Sequence, residues 1–404
     1  MRTAWRPPTD AWATTRVGRF GTEHGLADLP TLLDRSVKDP AWFWDAVVEH
    51  LGIPFTTPYA QVLDTAAGIP WTTWFTGGRT NLADACCDRW AAATPGADAL
   101  VWEGEEGTSR TWTYAELRAE ADGLAHLLQA RGVGPGDAVG IYLPMLPETI
   151  AAVLAVSKLG AVFVPVFSGY GAEAVRVRLE DADAVALVTA DAFPRRGRAV
   201  PMLESAMEAA VPSLTTIVVV DRLGGALPND DARVVAWPPP ATEPFPTRAV
   251  DSEHTLFLAY TSGTTGRPKG VVHVHGGWTV KVAEEGAFQT DIGPDDRVFW
   301  LTDLGWIMGP WLLTAGLANG AAILLFDGAP DHPGPDRLWA FLAAHRATHC
   351  GVSPTLVRAL MASGDDAPAA HDLSALRILA STGEPWNEDP WRWYAEVVGE
   401  GRCP

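Results

Sequence analysis

LFLAYTSGTTGRPKGVVHVHGGW, residues 256–278, is the stretch whose reading decides the fold. An apolar run from Thr255 to Tyr260 stops at hydroxyls, glycines and one lysine, and a second β-prone run resumes from Val271 to Val274. The pattern predicts strand, polar loop, strand. Thr261, Ser262, Thr264 and Thr265 supply hydroxyl donors, while Gly263 and Gly266 let the backbone bend and turn its N–H groups toward an anion. Lys269 adds a full positive charge in a chain with only three other lysines, Lys38, Lys158 and Lys281. A polyphosphate, whose oxygens need several donors at once, suits such a loop. The spacing is not that of a Walker A loop, which requires Gly-Lys followed by Ser or Thr. Here Lys269 comes three residues after Gly266 and is followed by Gly270. A plain surface loop is the competing reading.

Outward from the loop, composition narrows the field. A chain of 404 residues with 47% hydrophobic and 20% charged residues can bury a large core in more than one domain. A net charge of −19 argues against nucleic acid, which needs a basic face, yet leaves room for a local donor cluster around a phosphate ligand. No apolar run reaches membrane-spanning length, and residues 1–20 contain no signal-like apolar segment. Cys86, Cys87, Cys350 and Cys403 form neither a disulfide framework nor a zinc spacing, so a reducing cytoplasmic setting is expected.

Residues 1–81 read as an extension rich in Trp, Pro and Thr. A short helix runs from Pro40 to Leu51, and Trp71, Trp74 and Phe75 are expected as packing residues. From residue 82 the pattern is α/β. Thr113 and Glu116 form a capping box, and Pro147–Leu159 is a helix between strands Val139–Leu143 and Ala161–Phe167. Further strands are expected at Ala184–Thr189 and Thr216–Val220, then a loose connection over 224–250. The expected division is thus 1–81, 82–250 and 251–404. In the last part, strands at Val298–Leu301, Ala321–Phe326, His349–Val352 and Leu376–Ala380 alternate with helices through Leu312 and Leu317, at Asp336–His345 and at Pro354–Met361. His273 and His275 make an HxH pair whose rings would share one side of a strand; without a third ligand, packing is the favoured reading.

The loop Thr261 to Gly270 resembles the signature of the adenylate-forming superfamily, and the order Trp74, Phe75, Asn81, Leu82, Ala83 resembles the N-terminal extension of acetyl-CoA synthetases. The resemblance implies the large α/β domain of that fold, with helix-flanked, largely parallel sheets. By it, Thr261 to Gly266 and Lys269 would grip the ATP phosphates, with Thr264 and Lys269 nearest the chemistry. Gly383, Glu384 and Pro385 would border the adenine, and Trp306, Ile307, Met308 and Thr382 would surround the acid's alkyl end. Gly169, Arg195 and Arg198 would meet the nucleotide end of coenzyme A. Ile307-Met308 and Thr382 depart from the acetate-specific pattern; a methylene of pocket volume discriminates by only about 1–3 kcal/mol, so the acid stays open.

The resemblance stops at Pro404. The family's acidic turn for Mg²⁺, its ribose-binding Asp, its hinge and its small C-terminal domain with the adenylation lysine follow that point. The second sheet is therefore expected to be incomplete, with little turnover by this chain alone and a second chain as one source of the remainder. The implied function is an AMP-forming short-chain acyl-CoA synthetase using ATP, Mg²⁺ and coenzyme A. Its rivals are a non-catalytic or partner-dependent ATP-binding subunit, and an adenylation domain that loads a carrier protein.

Overall fold

The computed structural model describes residues 5–261 and 268–404. Its N-terminal part is more helical than its composition suggests. Arg16–Glu23 starts where the Thr15 hydroxyl accepts from Gly18 N–H, Leu29–Lys38 where the Asp28 carboxylate accepts from Thr31 N–H at 2.9 Å, and Pro40–Leu51 follows. Side-chain acceptors at these positions satisfy backbone donors that a helix start leaves free. Phe20 is fully buried against Phe43 and Phe288, which fastens the extension to the body. Phe75 is buried and Trp74 partly so, but Trp71 is 73% exposed and is not a packing residue. It belongs to the short turn Ile69–Trp71, which projects both large side chains outward.

Two sheets follow. The first has seven strands in the order Val234–Ala236, Thr216–Val220, Ala186–Ala190, Ala138–Tyr142, Val162–Val166, Thr255–Thr261 and Lys269–Val274. Every neighbouring pair is parallel except the last, an antiparallel hairpin. The second has six strands, Ile378–Ser381, His349–Val352, Arg297–Trp300, Ala322–Asp327, Asp98–Gly104 and Ser109–Thr113, again parallel up to a final antiparallel pair. Five of the parallel strands, among them Ala138–Tyr142 and Ala322–Asp327, are buried along their length and read as near-continuous apolar runs, as expected of sheets covered on both faces.

Local signals set the element bounds. The capping box is present: the Thr113 hydroxyl accepts from Glu116 N–H, and the Glu116 carboxylate accepts from Thr113 N–H at 2.8 Å. Helix Pro147–Leu159 ends at Gly160, whose φ of +69° an L side chain would resist.

Three expectations are corrected. Residues 224–250 are not uniformly loose, because Val234–Ala236 adds a parallel edge strand to the first sheet. The sheets do not divide the chain at residue 250: the hairpin from Thr255 to Val274 completes the first sheet, and Asp98–Thr113 completes the second. His273 and His275 do not share a strand face either. The strand ends at Val274 and His275 opens the helix His275–Glu284.

At the far edge of the second sheet, Leu379 N–H donates to the Pro404 carbonyl at 3.2 Å, so the last residues lie along the strand Ile378–Ser381. All four cysteines are free and buried. Among the described residues no helix is long and apolar enough to cross a membrane.

Candidate active site

Ligands of open α/β sheets sit beyond the carboxyl ends of parallel strands. Here both sheets direct such ends at one cavity of about 680 Å³. The first sheet contributes Pro144 and Met145 after Ala138–Tyr142, and Phe167, Ser168 and Gly169 after Val162–Val166. The second contributes Leu301 to Asp303, Trp306 to Met308, Gly328, Ser353, and Thr382 with Gly383. A small hairpin, Ala192–Arg195 with Arg198–Pro201, closes one side through Phe193, Arg195 and Val200.

Of the residues singled out from the sequence, Gly169, Arg195, Trp306, Ile307, Met308, Thr382 and Gly383 line this cavity, although more than 200 residues separate the first from the last. Trp306 is half-exposed and packs against Phe167 at 5.6 Å between ring centroids. Arg195 donates to the Gly328 carbonyl at 2.9 Å. Arg198 is exposed on the opposite strand of the small hairpin, outside the lining. Glu384 and Pro385 follow the lining residues directly. The Glu384 carboxylate, however, accepts from Thr355 N–H at 2.8 Å and from Arg358 at 2.8 Å, so its side chain is engaged at the start of helix Pro354–Met361. Thr261 and Lys269 face each other across the hairpin as its last described pair, and Ser262, Gly263, Thr264, Thr265 and Gly266 lie outside the described residues.

The small hairpin is held by a carboxylate that sequence reading missed. Glu105 accepts from Arg196 N–H at 2.9 Å, Gly197 N–H at 2.7 Å and, just past strand Ala322–Asp327, Ala329 N–H at 2.9 Å. Burial alone would push this carboxyl up, but the three backbone donors bring it below the usual range. Arg196 pairs with Asp331 at 2.8 Å. Of Arg195, Arg196 and Arg198, only Arg195 lines the cavity.

Asp303 was also missed as an individual residue. Its carboxylate accepts from the Ser168 hydroxyl at 2.5 Å and Gly305 N–H at 2.8 Å, tying the two loops on either side of the cleft. The one signal was its place just past a strand end and before a glycine. Burial pushes Asp303 up to about 6, against the pull of Ser168, Gly305 and Arg195. Between the ordinary carboxyl value and about 6 the folded chain binds the extra proton, so this group's contribution to stability is full near pH 4 and declines as pH rises to 7. The decline is on the order of 3 kcal/mol. Asp327, also pushed up to about 6 by burial, adds a similar slope. Relative to the unmodified chain, the urea-unfolding free energy of Asp303→Asn is expected to rise by on the order of 3 kcal/mol more between pH 4 and 7, and an identical pH dependence in the two chains would contradict the assignment.

His273 stacks on Phe257 at 4.4 Å, and the buried His275 ring accepts from Leu82 N–H at 3.2 Å; burial lowers His275 to about 3, so it is neutral. Among the described residues no group of three or more His, Cys, Asp or Glu is arranged to hold a metal.

Fold and cleft define an α/β domain whose two sheets offer their strand ends to one largely apolar cavity. The chain belongs to the AMP-binding enzyme family, whose model matches residues 87–403, and residues 30–86 match the acetyl-coenzyme A synthetase N-terminus. An acetyl-coenzyme A synthetase of Mycobacterium tuberculosis is 41% identical over 383 residues, 91% of this chain and 58% of that protein. One of Rubrobacter xylanophilus is 42% identical over 344 residues, 83% of this chain and 53% of its own length. Acetoacetyl-CoA synthetase from Streptomyces lividans superimposes with a TM-score of 0.92 at 32% identity, covering all of this chain and 63% of that one. The chain thus spans little more than half the length of these acetyl-coenzyme A synthetases.

Proposed function

We propose that the chain is the larger, substrate-binding part of an AMP-forming acyl-CoA synthetase acting on short-chain carboxylates. The observation that carries this reading is the single cavity, which gathers residues expected for coenzyme A (Gly169, Arg195), for the acid (Trp306, Ile307, Met308, Thr382) and for the adenine turn (Gly383). In the reaction a carboxylate oxygen attacks the α-phosphorus of ATP and pyrophosphate leaves. The coenzyme A thiol then attacks the acyl carbon, losing its proton as AMP departs. The chain's part is to bind and orient: the Thr261–Lys269 hairpin takes the triphosphate, with Thr264 and Lys269 nearest the transferred phosphorus. The aromatic and aliphatic wall keeps water from the mixed anhydride, and alignment in one cleft makes each attack effectively intramolecular. Mg²⁺ would accompany ATP, held by the substrate phosphates with one or two carboxylates, and would offset charge on the reacting phosphate.

ATP–pyrophosphate exchange with acetate, propionate and butyrate tests the reading, with coenzyme A added in a second arm. Acid-dependent exchange supports the ligase, and a requirement for coenzyme A to release AMP excludes a carrier-loading domain. The coverage of the relatives favours one second reading, a partner-dependent subunit. ATP binding without exchange, restored by adding the C-terminal part of a relative, would establish it. No ATP binding at all would sink both.

A further inference from the structure

Among the described residues, the hairpin that leads into the polyphosphate-type loop joins the first sheet through its first strand alone. Strand Thr255–Thr261 matches strand Val162–Val166 in register at Phe257 and Phe163, well before the cavity end of either strand. From there to Tyr260 and Thr261, side chains join the hairpin to the rest of the first sheet. Arg178, on helix Ala172–Asp181, is only 6% exposed and forms no ion pair with a carboxylate among the described residues. Its guanidinium donates to the Ala174 carbonyl at 2.6 Å and to the Tyr170 hydroxyl at 3.2 Å. It lies over the Tyr170 ring at 4.3 Å and near the Tyr260 ring at 5.8 Å. Tyr260 in turn donates to Asp181 of the same helix at 2.7 Å, and Tyr142 donates to the Tyr170 carbonyl at 2.6 Å.

Two pieces of the site meet at this cation. Tyr170 closes the turn whose Phe167, Ser168 and Gly169 line the cavity, and Tyr260 stands next to Thr261, the last described residue before the loop. We propose that Arg178 is a positioning residue that sets the foot of the phosphate hairpin against the rim of the acid and coenzyme A cavity. A planar guanidinium can cover one ring, approach a second and still donate in its own plane, whereas an ammonium on a flexible stem is a point charge without that plane. The burial of a cation without a carboxylate is offset here by ring faces and neutral oxygens. The role assigned to the hairpin rests on the proposed ATP binding; the mechanical tie does not.

Hydrogen exchange of the full chain tests it, read at residues 167–171, 258–261 and 269–271, with and without magnesium ATP. Without nucleotide, Arg178→Met is expected to speed exchange in all three segments about tenfold, and Arg178→Lys about three- to fivefold, while the strand Ala322–Asp327 is unchanged. Arg89→Met is the control: Arg89 is likewise without a carboxylate partner among the described residues, donates to backbone carbonyls including that of Leu51, and stacks on Trp90. Its loss should leave the three segments as they were. With nucleotide, the ATP concentration for half-maximal protection should rise about tenfold in Arg178→Met. Unchanged exchange at the hairpin in both Arg178 variants overturns the proposal, as does acceleration matched by Arg89→Met. Absence of ATP protection in the unmodified chain overturns the ATP reading instead, and the nucleotide-free comparison still decides the tie.

Discussion

Lys158→Met is expected to lower the free energy of unfolding by about 3–5 kcal/mol, the cost of leaving buried charge without its partner. The Lys158 side chain is fully buried at the end of helix Pro147–Leu159, with its ammonium 2.5 Å from Asp88 and 2.8 Å from Asp122. The Asp122 contact lies off hydrogen-bonding angles and is an ion pair, whereas Asp88 also accepts from the Thr247 hydroxyl. The three acidic and basic groups thus join the helix to Asp88 before it, to the helix Tyr114–Ala130, and to the connection leading into the hairpin. Burial pulls the ammonium's pKa down, but the two carboxylates outweigh it and the net direction is up. A cation raised above its unfolded value contributes fully below that value and loses the contribution only in strong alkali, so the whole effect is present at pH 7. Urea unfolding at pH 7 checks it. A deficit below 1 kcal/mol at pH 7 would mean that the triad is screened.

Much of the fold was legible because its signals are local. Pro147 opens a helix and Gly160 stops it, Thr113 and Glu116 cap each other, and the apolar run at Thr216–Val220 is one strand with no residue misplaced. Sheet membership was not legible, because it is set by pairing between strands far apart in sequence. Asp98–Gly104 joins a partner more than 200 residues away, and Thr255–Val274 returns to the first sheet. The same limit shaped the site. Trp306 to Met308 and Thr382 stand out by motif, but the bond from Asp303 to Ser168 and the grip of Glu105 on Arg196 and Gly197 join residues that carry no mark in the chain. Trp71 shows the converse error, since an aromatic among aromatics says nothing about which face it takes.

The second large effect is expected at Gly305, where the two sides of the cleft touch. A Cβ there would stand 2.2 Å from the backbone nitrogen of Phe167 and 2.4 Å from its Cα. Backbone atoms cannot swing aside as a side chain would, so Gly305→Ala must part the loop Asp303–Gly309 from the turn Phe167–Tyr170 by roughly 1 Å to restore ordinary contact. That displacement breaks the bond from Ser168 to Asp303 and shifts Trp306, which packs on Phe167, away from Gly169 across the cavity. Overpacking of this kind costs about 1–3 kcal/mol of stability. A misplacement of about 1 Å costs on the order of 100-fold in rate when reactants must be aligned. With the C-terminal part of a relative supplied, acid-dependent ATP–pyrophosphate exchange should therefore fall about 100-fold while the chain still folds. Gly171→Ala supplies the comparison: a Cβ at Gly171 meets nothing within 4 Å, so exchange and stability should both stay near those of the unmodified chain. If Gly305→Ala were as active as Gly171→Ala, the spacing of the two loops would not govern the reaction, and the cavity they frame would not be where acid and nucleotide meet.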